Sequence, residues 1–275
     1  MSVRKGAPAL LIAGALCASL MLTGCADTAP SAPGPAGSST GAPPAAGDSR
    51  PEGAPPRTAG EVGGPGGAAS SHSSAPVPEP RIPGLGPATD ALVPDGTTQA
   101  LVVTGATADA NASTATLYER GPGGRWAPVA GPWAAHNALR GWTDDHVAGD
   151  LRTPIGVFRL GDAGGRLPDP GARLPYDQDD EFAISGTGFS GEPLEGSFDH
   201  VIAIDYNRVP GRTPLDKERP LGAGKGGGVW IHVDHGGPTQ ACVALAREDL
   251  RELLRALDPA RDPVVVMGPA PVLGR

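Results

Sequence analysis

Two histidines and one cysteine lie within a single glycine-rich stretch near the end of the chain. His232 and His235 flank Asp234, and Cys242 follows ten residues after His232. A thiol becomes a strong nucleophile when a nearby base takes its proton, because the thiolate is the species that attacks. The residue types and their spacing therefore favour cysteine-based acyl transfer, with an imidazole and a sulfur at the two ends of one loop.

The elements around this stretch must bring the two groups together. Residues 229–231 (Val-Trp-Ile) are β-branched and aromatic and follow three glycines, which predicts a short buried strand entered from a flexible turn. His232 would lie at the end of that strand, and residues 236–239 predict a turn. We expect Cys242 to come directly before a helix.

The same residues permit two other interpretations. A zinc or copper ion could be bound by His232, Asp234, His235 and Cys242, although their spacing matches no common metal motif. On a strand, His232 and Asp234 point to one side and His235 to the other, which disfavours one metal bound by both histidines. The other alternative is an inert loop of a binding module, with Cys242 as a small buried apolar residue.

The charge of the chain argues against a nucleic-acid-binding protein. The formal net charge of the 275 residues is −8, and no run of Lys or Arg follows the first few residues. With 42 glycines, 32 prolines and only 4% aromatic residues, the composition indicates disordered sequence attached to a loop-rich, β-dominated domain.

The N-terminal part is typical of an exported and anchored protein. Residues 1–24 have the charged start and apolar run of a secretory signal, and Leu22-Thr23-Gly24-Cys25 resembles a bacterial lipobox. The resemblance implies diacylglycerol on Cys25, cleavage before it, and attachment to the extracytoplasmic face of the cell membrane. The alternative is an ordinary cleaved signal. Residues 25–96, rich in Pro, Gly, Ala and Ser, are predicted to be a disordered tether.

Residues 97–275 are predicted to fold as one domain. Cys242 is its only cysteine, so we expect a free thiol. The acidic run 177–181 predicts a solvated loop. Strands are predicted over 99–103, 113–119 and 126–129 as a β-meander, and over 153–160, 201–206 and 263–267, and a helix with a leucine face over 246–258.

Several segments follow one another in a specific order along the chain. They are residues 153–158 (TPIGVF), 204–207 (IDYN), 227–232 (GGVWIH), 238–245 (PTQACVAL) and the leucine helix ending at 257–259 (LDP). In this order, they resemble the L,D-transpeptidase (YkuD-like) catalytic domain in its divergent branch. The resemblance implies a mainly β, sandwich or barrel-like domain with one C-terminal amphipathic helix, following a disordered linker.

The resemblance also implies a mechanism. Cys242 would be the nucleophile and His232 the general base and acid, acting on peptidoglycan tetrapeptide stems through a thioester, with no metal or organic cofactor. Backbone N–H groups near Ala241 and Cys242 would stabilise the oxyanion, and Asp234, His235 and Gly237 are candidate supporting residues. Members of the family are acylated by carbapenem β-lactams, so these are the expected covalent inhibitors.

Two positions depart from the pattern of the family. Ala241 replaces a glycine before the cysteine, and Gln240 replaces a second histidine. His235 remains an alternative base, and either Asp234 or a backbone carbonyl could orient His232. The residues also leave open an L,D-carboxypeptidase or a catalytically inactive wall-binding protein. His136, His146 and His200 are predicted to be surface or structural, and Trp133, Trp142 and Trp230 to pack in the core or the cleft wall.

Overall fold

The computed structural model describes residues 79–275, and ten of its strands join in one mixed sheet. The strands are β1 (Gln99–Gly105), β2 (Ala112–Arg120), β3 (Trp126–His136), β4 (Trp142–Thr143), β5 (Thr153–Pro154), β6 (Gly156–Arg159), β7 (Ala163–Gly165), β8 (Tyr176–Gln178), β9 (Val201–Ala203), β10 (Trp230–Val233), β11 (Val243–Leu245) and β12 (Val264–Pro269). Their order in the sheet is β6-β12-β1-β2-β3-β11-β10-β9-β7-β8, and β4 pairs with β5 separately.

Short helices complete the described part of the chain. They are α1 (Pro87–Asp90), α2 (Arg247–Ala256) and α3 (Ala270–Leu273), with 3₁₀ turns at Ala223–Lys225 and Pro259–Arg261. Among these described helices, none has both the length and the apolar character that a membrane span requires. The predicted mainly β fold with one C-terminal amphipathic helix is confirmed. The predicted signal, the lipobox and most of the predicted tether lie outside the described residues.

The predicted meander is confirmed as three antiparallel neighbours, β1, β2 and β3. Ala115 and Leu117 of β2 are buried, as their alternation with Thr114 and Thr116 predicted. β3 continues past the predicted end at residue 129 to His136, because irregular register between β2 and β3 lets the strand pass the Gly131–Pro132 pair. This longer strand brings His136 to the edge of the candidate site.

The strand predicted over 201–206 is three residues too long. β9 ends at Ala203, and the chain then turns to place the Asp205 carboxylate beside the guanidinium of Arg208. Arg208 also donates a hydrogen bond to Asp162 at 2.9 Å, and all three side chains are buried. A buried charge must be paired, so this triad, rather than strand propensity, sets the path of the backbone.

The C-terminal helix agrees with its prediction. α2 buries Leu250, Leu253 and Leu254 of the predicted leucine face, and Leu257, directly after the helix, belongs to the same apolar cluster. The expectation that Cys242 directly precedes this helix is wrong. β11 lies between them, because Val243–Leu245 is a buried run that pairs with both β10 and β3.

A second apolar cluster covers the other face of β1 and β12. Ile82 and Leu85 pack there with Ala100, Val102, Val264, Val266 and Leu273. Backbone hydrogen bonds also join the chain just after Leu85 to residues 273–275. The N–H of Gly86 donates to the carbonyl oxygen of Leu273 at 2.8 Å, and the N–H of Ala88 donates to that of Arg275 at 2.9 Å. Residues from 79 onward therefore take part in the packing of the domain.

Candidate active site

The candidate site lies on two adjacent parallel strands in the middle of the sheet. His232 is on β10 and pairs with Ala244 of β11, and Ile231 pairs with Val243. Cys242 immediately precedes β11. The loop between the strands therefore returns the chain so that the predicted base and nucleophile belong to neighbouring strands.

The imidazole of His232 is fixed by a backbone oxygen. Its Nδ1 lies 2.9 Å from the carbonyl oxygen of Val233. A carbonyl oxygen can only accept, so Nδ1 carries the hydrogen and Nε2 has the lone pair that can take a proton. Burial lowers the pKa of His232 from 6.5 to about 4, so the ring is neutral at neutral pH.

The sulfur of Cys242 lies among backbone groups and aromatic rings. The N–H of Trp230 points to Sγ at 3.4 Å, and the carbonyl oxygen of Gly228 is 3.8 Å away. Cys242 packs with Phe182, Phe198 and Trp230. An N–H donor stabilises a thiolate more than a thiol, so the Trp230 amide suits an activated cysteine. The predicted packing role of Trp230 is confirmed by its burial.

The expectation that Cys242 is a free thiol is wrong for this structure. Its sulfur is disulfide-bonded. The prediction assumed that one cysteine in the folded part has no partner, although the chain has two more, Cys17 and Cys25. Nucleophilic chemistry at Cys242 requires the reduced sulfur.

Asp234 does not hold the His232 ring. Its two carboxylate oxygens each lie 3.0 Å from Nδ1 of His136, at the end of β3, and Oδ1 also accepts the N–H of Gly236 at 2.8 Å. Of the two orienting groups left open by the sequence, the backbone carbonyl of Val233 is the one in contact with His232. Asp234 instead joins the loop to β3.

His235 lies against His232 rather than on the opposite side. The two rings are stacked, with centroids 5.7 Å apart and planes 13° from parallel. The strand alternation used in the sequence analysis does not apply, because β10 ends at Val233 and Gly236 bends the chain at a φ of +88°. Nδ1 of His235 is 3.1 Å from Oε1 of Glu192.

The segment 136–139 at the end of β3 also holds the second half of the loop. The N–H of Thr239 donates to Asn137 O at 3.0 Å, and Leu139 N–H donates to Thr239 O at 2.9 Å. The hydroxyl of Thr239 then donates to the carbonyl oxygen of Cys242 at 2.6 Å, within the protein interior. The backbone at the cysteine is thus fixed by a buried side chain three residues earlier.

The remaining candidate residues have separate places in the loop. Ala241 is buried, and its φ is not positive, so an alanine fits the backbone there without strain. Gln240 is partly exposed. Gly237 is buried, and a Cβ on it would lie 2.0 Å from Oε1 of Glu192.

No metal cluster is evident in the described part of the chain. Among residues 79–275, no group of three or more His, Cys, Asp or Glu side chains is placed to hold a metal ion. The residues that the sequence offered as metal ligands contact other side chains instead. Asp234 contacts His136, and His235 contacts Glu192 and stacks on His232.

Sequence reasoning missed Glu192 and Asn137 and gave His136 no specific partner. The contacts of His136 with Asp234 and of Glu192 with His235 join residues 98 and 43 positions apart. No local pattern marks such pairs. The one available signal was the clustering of glycines around Glu192 and Gly237, which indicates close packing of a neighbouring group.

The site thus has, on β10, a histidine whose Nδ1 carries the hydrogen, next to the strand β11 that a cysteine immediately precedes. The L,D-transpeptidase catalytic domain (YkuD) matches residues 102–266, which is more than half of the chain. The chain belongs to this family, and the resemblance found in the sequence is confirmed.

Two similar solved structures are of one protein. The helical cell shape determining protein Pgp2 from Campylobacter jejuni is 18% identical, with a TM-score of 0.34, and the match covers 62% of this chain and 48% of that chain. A variant of Pgp2 with one lysine replaced by alanine is 18% identical, with a TM-score of 0.33 and coverage of 62% and 47%. This chain thus spans about half the length of the solved chains. A comparison with curated proteins finds no match.

Proposed function

We propose that this protein is a peptidoglycan L,D-transpeptidase that acts through a thioester on Cys242. Its membership of the L,D-transpeptidase family supports the reaction class. The observation that supports the residue assignment most is the pairing of β10 with β11, which places the strand of His232 beside the strand that Cys242 immediately precedes.

In the first half of the reaction, Nε2 of His232 takes the proton of the Cys242 thiol. The thiolate attacks the carbonyl carbon of the third residue of a tetrapeptide stem, and backbone N–H groups near Ala241 and Cys242 stabilise the oxyanion. The C–N bond then breaks, and the leaving D-alanine amine takes the proton from His232. Burial lowers the pKa of His232 to about 4, so the ring is neutral when the reaction begins.

In the second half, an amine of a neighbouring stem attacks the thioester. The new amide bond forms, the C–S bond breaks, and the proton released by the amine passes through His232 to the Cys242 sulfur. Attack by water instead of an amine would make the enzyme an L,D-carboxypeptidase. Both reactions pass through the same acyl-enzyme, so only an analysis of the products can show whether an amine or water is the acceptor.

The proposal includes the location of the protein. Lipidation of Cys25 after cleavage of residues 1–24 would anchor the domain to the cell membrane, facing the peptidoglycan, through a tether formed by residues 25–96. This processing would also remove Cys17 and occupy the sulfur of Cys25.

Acylation by a carbapenem tests the nucleophile. Purified full-length protein is incubated with a carbapenem with and without a reductant, and its intact mass is measured. Opening of the β-lactam ring retains every atom, so we expect the reduced protein to gain the mass of one drug molecule and Cys242→Ala to gain none.

A second assay identifies the acceptor. Release of D-alanine from a tetrapeptide stem, with and without an added amine, distinguishes transpeptidation from hydrolysis. If the folded, reduced wild-type protein forms no carbapenem adduct and releases no D-alanine, the proposed enzyme activity is wrong. The catalytically inactive wall-binding protein would then be the better interpretation.

A further inference from the structure

A carboxylate with no role in the reaction above lies against the histidine pair. Oε1 of Glu192 is 3.1 Å from Nδ1 of His235, and the two side chains are 11% and 6% exposed. The His235 ring in turn stacks on His232, with centroids 5.7 Å apart. Glu192, His235 and His232 therefore form a continuous series of contacts that ends at the proposed base.

The Glu192 side chain is held in place by its own turn. Thr187 and Pro193 form an isolated antiparallel bridge, and between them Gly188 N–H donates to the Glu192 carbonyl oxygen at 2.7 Å. Ser190 N–H donates to Oε2 at 2.7 Å. Each carboxylate oxygen therefore has a defined partner, since Oε1 contacts His235 and Oε2 contacts the turn.

Two glycines make room for this carboxylate. A Cβ built on Gly188 would lie 2.1 Å from Oε1 of Glu192, and a Cβ on Gly237 would lie 2.0 Å from the same atom. Neither glycine has a positive φ, so the backbone at these positions does not itself require glycine. The lack of side chains at both positions allows the carboxylate to reach His235.

The contact with Glu192 also determines which nitrogen of His235 carries the hydrogen. An ionised carboxylate accepts hydrogen bonds and cannot donate them, so the proton of this bond lies on Nδ1. His235 thereby has the same tautomer as His232, whose Nδ1 faces the Val233 carbonyl oxygen. Asp234, which lies between the two histidines in sequence, contacts His136.

We propose that Glu192 is a positioning residue of the cysteine site. Its carboxylate holds His235 as the Nδ1–H tautomer in the stack on His232, and this stack fixes the ring plane of the base. The inference rests on the proposed function, because that function gives His232 its role as the base. A carboxylate that orients an imidazole through Nδ1 is a common arrangement in acid–base catalysis, and here it acts through a second ring.

Glu192→Gln tests the proposal with little change in shape. The glutamine amide can present either a donor or an acceptor to Nδ1, so it no longer imposes one tautomer. We expect ¹⁵N NMR of histidine-labelled protein to show a gain of the Nε2–H tautomer of His235, with the signal assigned through His235→Asn. We also expect carbapenem acylation to slow about tenfold, because small displacements of a catalytic group have large effects on rate.

Glu195→Gln is the matched control. Glu195 is in the same segment, is exposed, and accepts the N–H of Gly186 at 3.3 Å. The control removes the same charge without a change at His235, so we expect its tautomer signal and its acylation rate to match those of the wild type.

Gly237→Ala tests the contact from the opposite side. Its methyl group would displace the Glu192 carboxylate while leaving residue 192 unchanged, so we expect the same tautomer gain and a similar loss of rate. The double variant Gly237→Ala/Glu192→Gln should be little slower than either single variant, because both remove one contact.

The outcomes separate this inference from the proposed function. A Glu192→Gln protein with wild-type tautomer and rate overturns the inference. So does a slower Glu192→Gln protein with an unchanged tautomer, because its defect would come from the turn alone. If the wild type itself is not acylated, the proposed function fails and the positioning role fails with it, whereas the tautomer signal still reports whether Glu192 holds His235.

Discussion

At the scale of single residues, the environment of His232 couples the proposed chemistry to stability. Its pKa of about 4 lies below the ordinary value of 6.5 because the ring is buried. The folded state therefore binds fewer protons than the unfolded state between these two pH values. The free energy of unfolding falls as pH decreases through this window, by at most roughly 3 kcal/mol from this residue.

We predict that His232→Gln weakens this pH dependence. The wild-type free energy of unfolding, measured with urea at pH 7 and pH 4, should fall more than that of the variant, by up to about 3 kcal/mol. Burial also lowers the pKa of His146 and His200, so the variant should keep part of the dependence. His72→Gln, outside the described residues, is the control. Equal falls in wild type and His232→Gln would contradict the buried neutral imidazole.

The sequence indicated the two central residues of the site but not their partners. His232 and Cys242 share one loop and a family pattern, so local sequence was sufficient to propose them as the central residues. The tautomer of His232 depends on a backbone oxygen. The contacts of His235 and Asp234 are made with Glu192 and His136, which approach through the fold. The sequence therefore predicted which residues are present, while tertiary structure determined their hydrogen bonds.

At the scale of elements, the loop between β10 and β11 is held at both ends by the end of β3. His136 contacts Asp234 near the start of the loop, and Asn137 and Leu139 bond Thr239 near its end. The loop is therefore shaped by an element far away in sequence rather than by its glycines alone.

Thr239→Val is predicted to loosen the backbone at Cys242. Valine has the shape of threonine but lacks the hydroxyl that donates to the Cys242 carbonyl oxygen at 2.6 Å. The buried carbonyl would lose this bond, which costs roughly 1–3 kcal/mol of unfolding free energy. We also expect slower carbapenem acylation. Thr114→Val, at an exposed position of β2, should change the unfolding free energy by less than about 0.5 kcal/mol. Equal effects of the two substitutions would contradict this role of Thr239.

Strands and helices were predictable where a local pattern decides them. The alternation in β2 and the leucine period of α2 are such patterns. The end of β9 and the existence of β11 depend on distant partners, Arg208 in the first case and β3 and β10 in the second. A short apolar run such as residues 243–245 does not reveal its pairing, so the helix was placed next to Cys242.

At the scale of the whole molecule, packed structure occurs within a segment whose composition indicated a tether. Pro and Gly dominate before residue 97, and such composition normally marks sequence that cannot form a core. Ile82 and Leu85 nevertheless pack on β1 and β12, because those strands expose an apolar second face that needs a cover. Two apolar residues are too few to alter a composition average.

The proposed membrane anchor is tested by Cys25→Ser. Serine cannot form the thioether to diacylglycerol, so we expect the variant to move from the membrane fraction to the soluble fraction when cells are fractionated and the protein is detected by immunoblot. Cys17→Ser is the matched control, because it changes a cysteine of the proposed signal without changing the lipidation site. Membrane attachment that survives Cys25→Ser would contradict the lipoprotein proposal.

The pairing of β11 with β3 has a consequence for how the protein folds. The meander consists of sequence neighbours, whereas Ala244 and His136, which pair across β11 and β3, are about a hundred residues apart. Contacts between nearby residues close small loops and form quickly, while distant pairings form late. The docking of β11 and its loop on β3 would therefore come among the last steps of folding, so a nascent or partly folded chain can have an intact meander and still lack the contacts that His136 and Asn137 make with the loop.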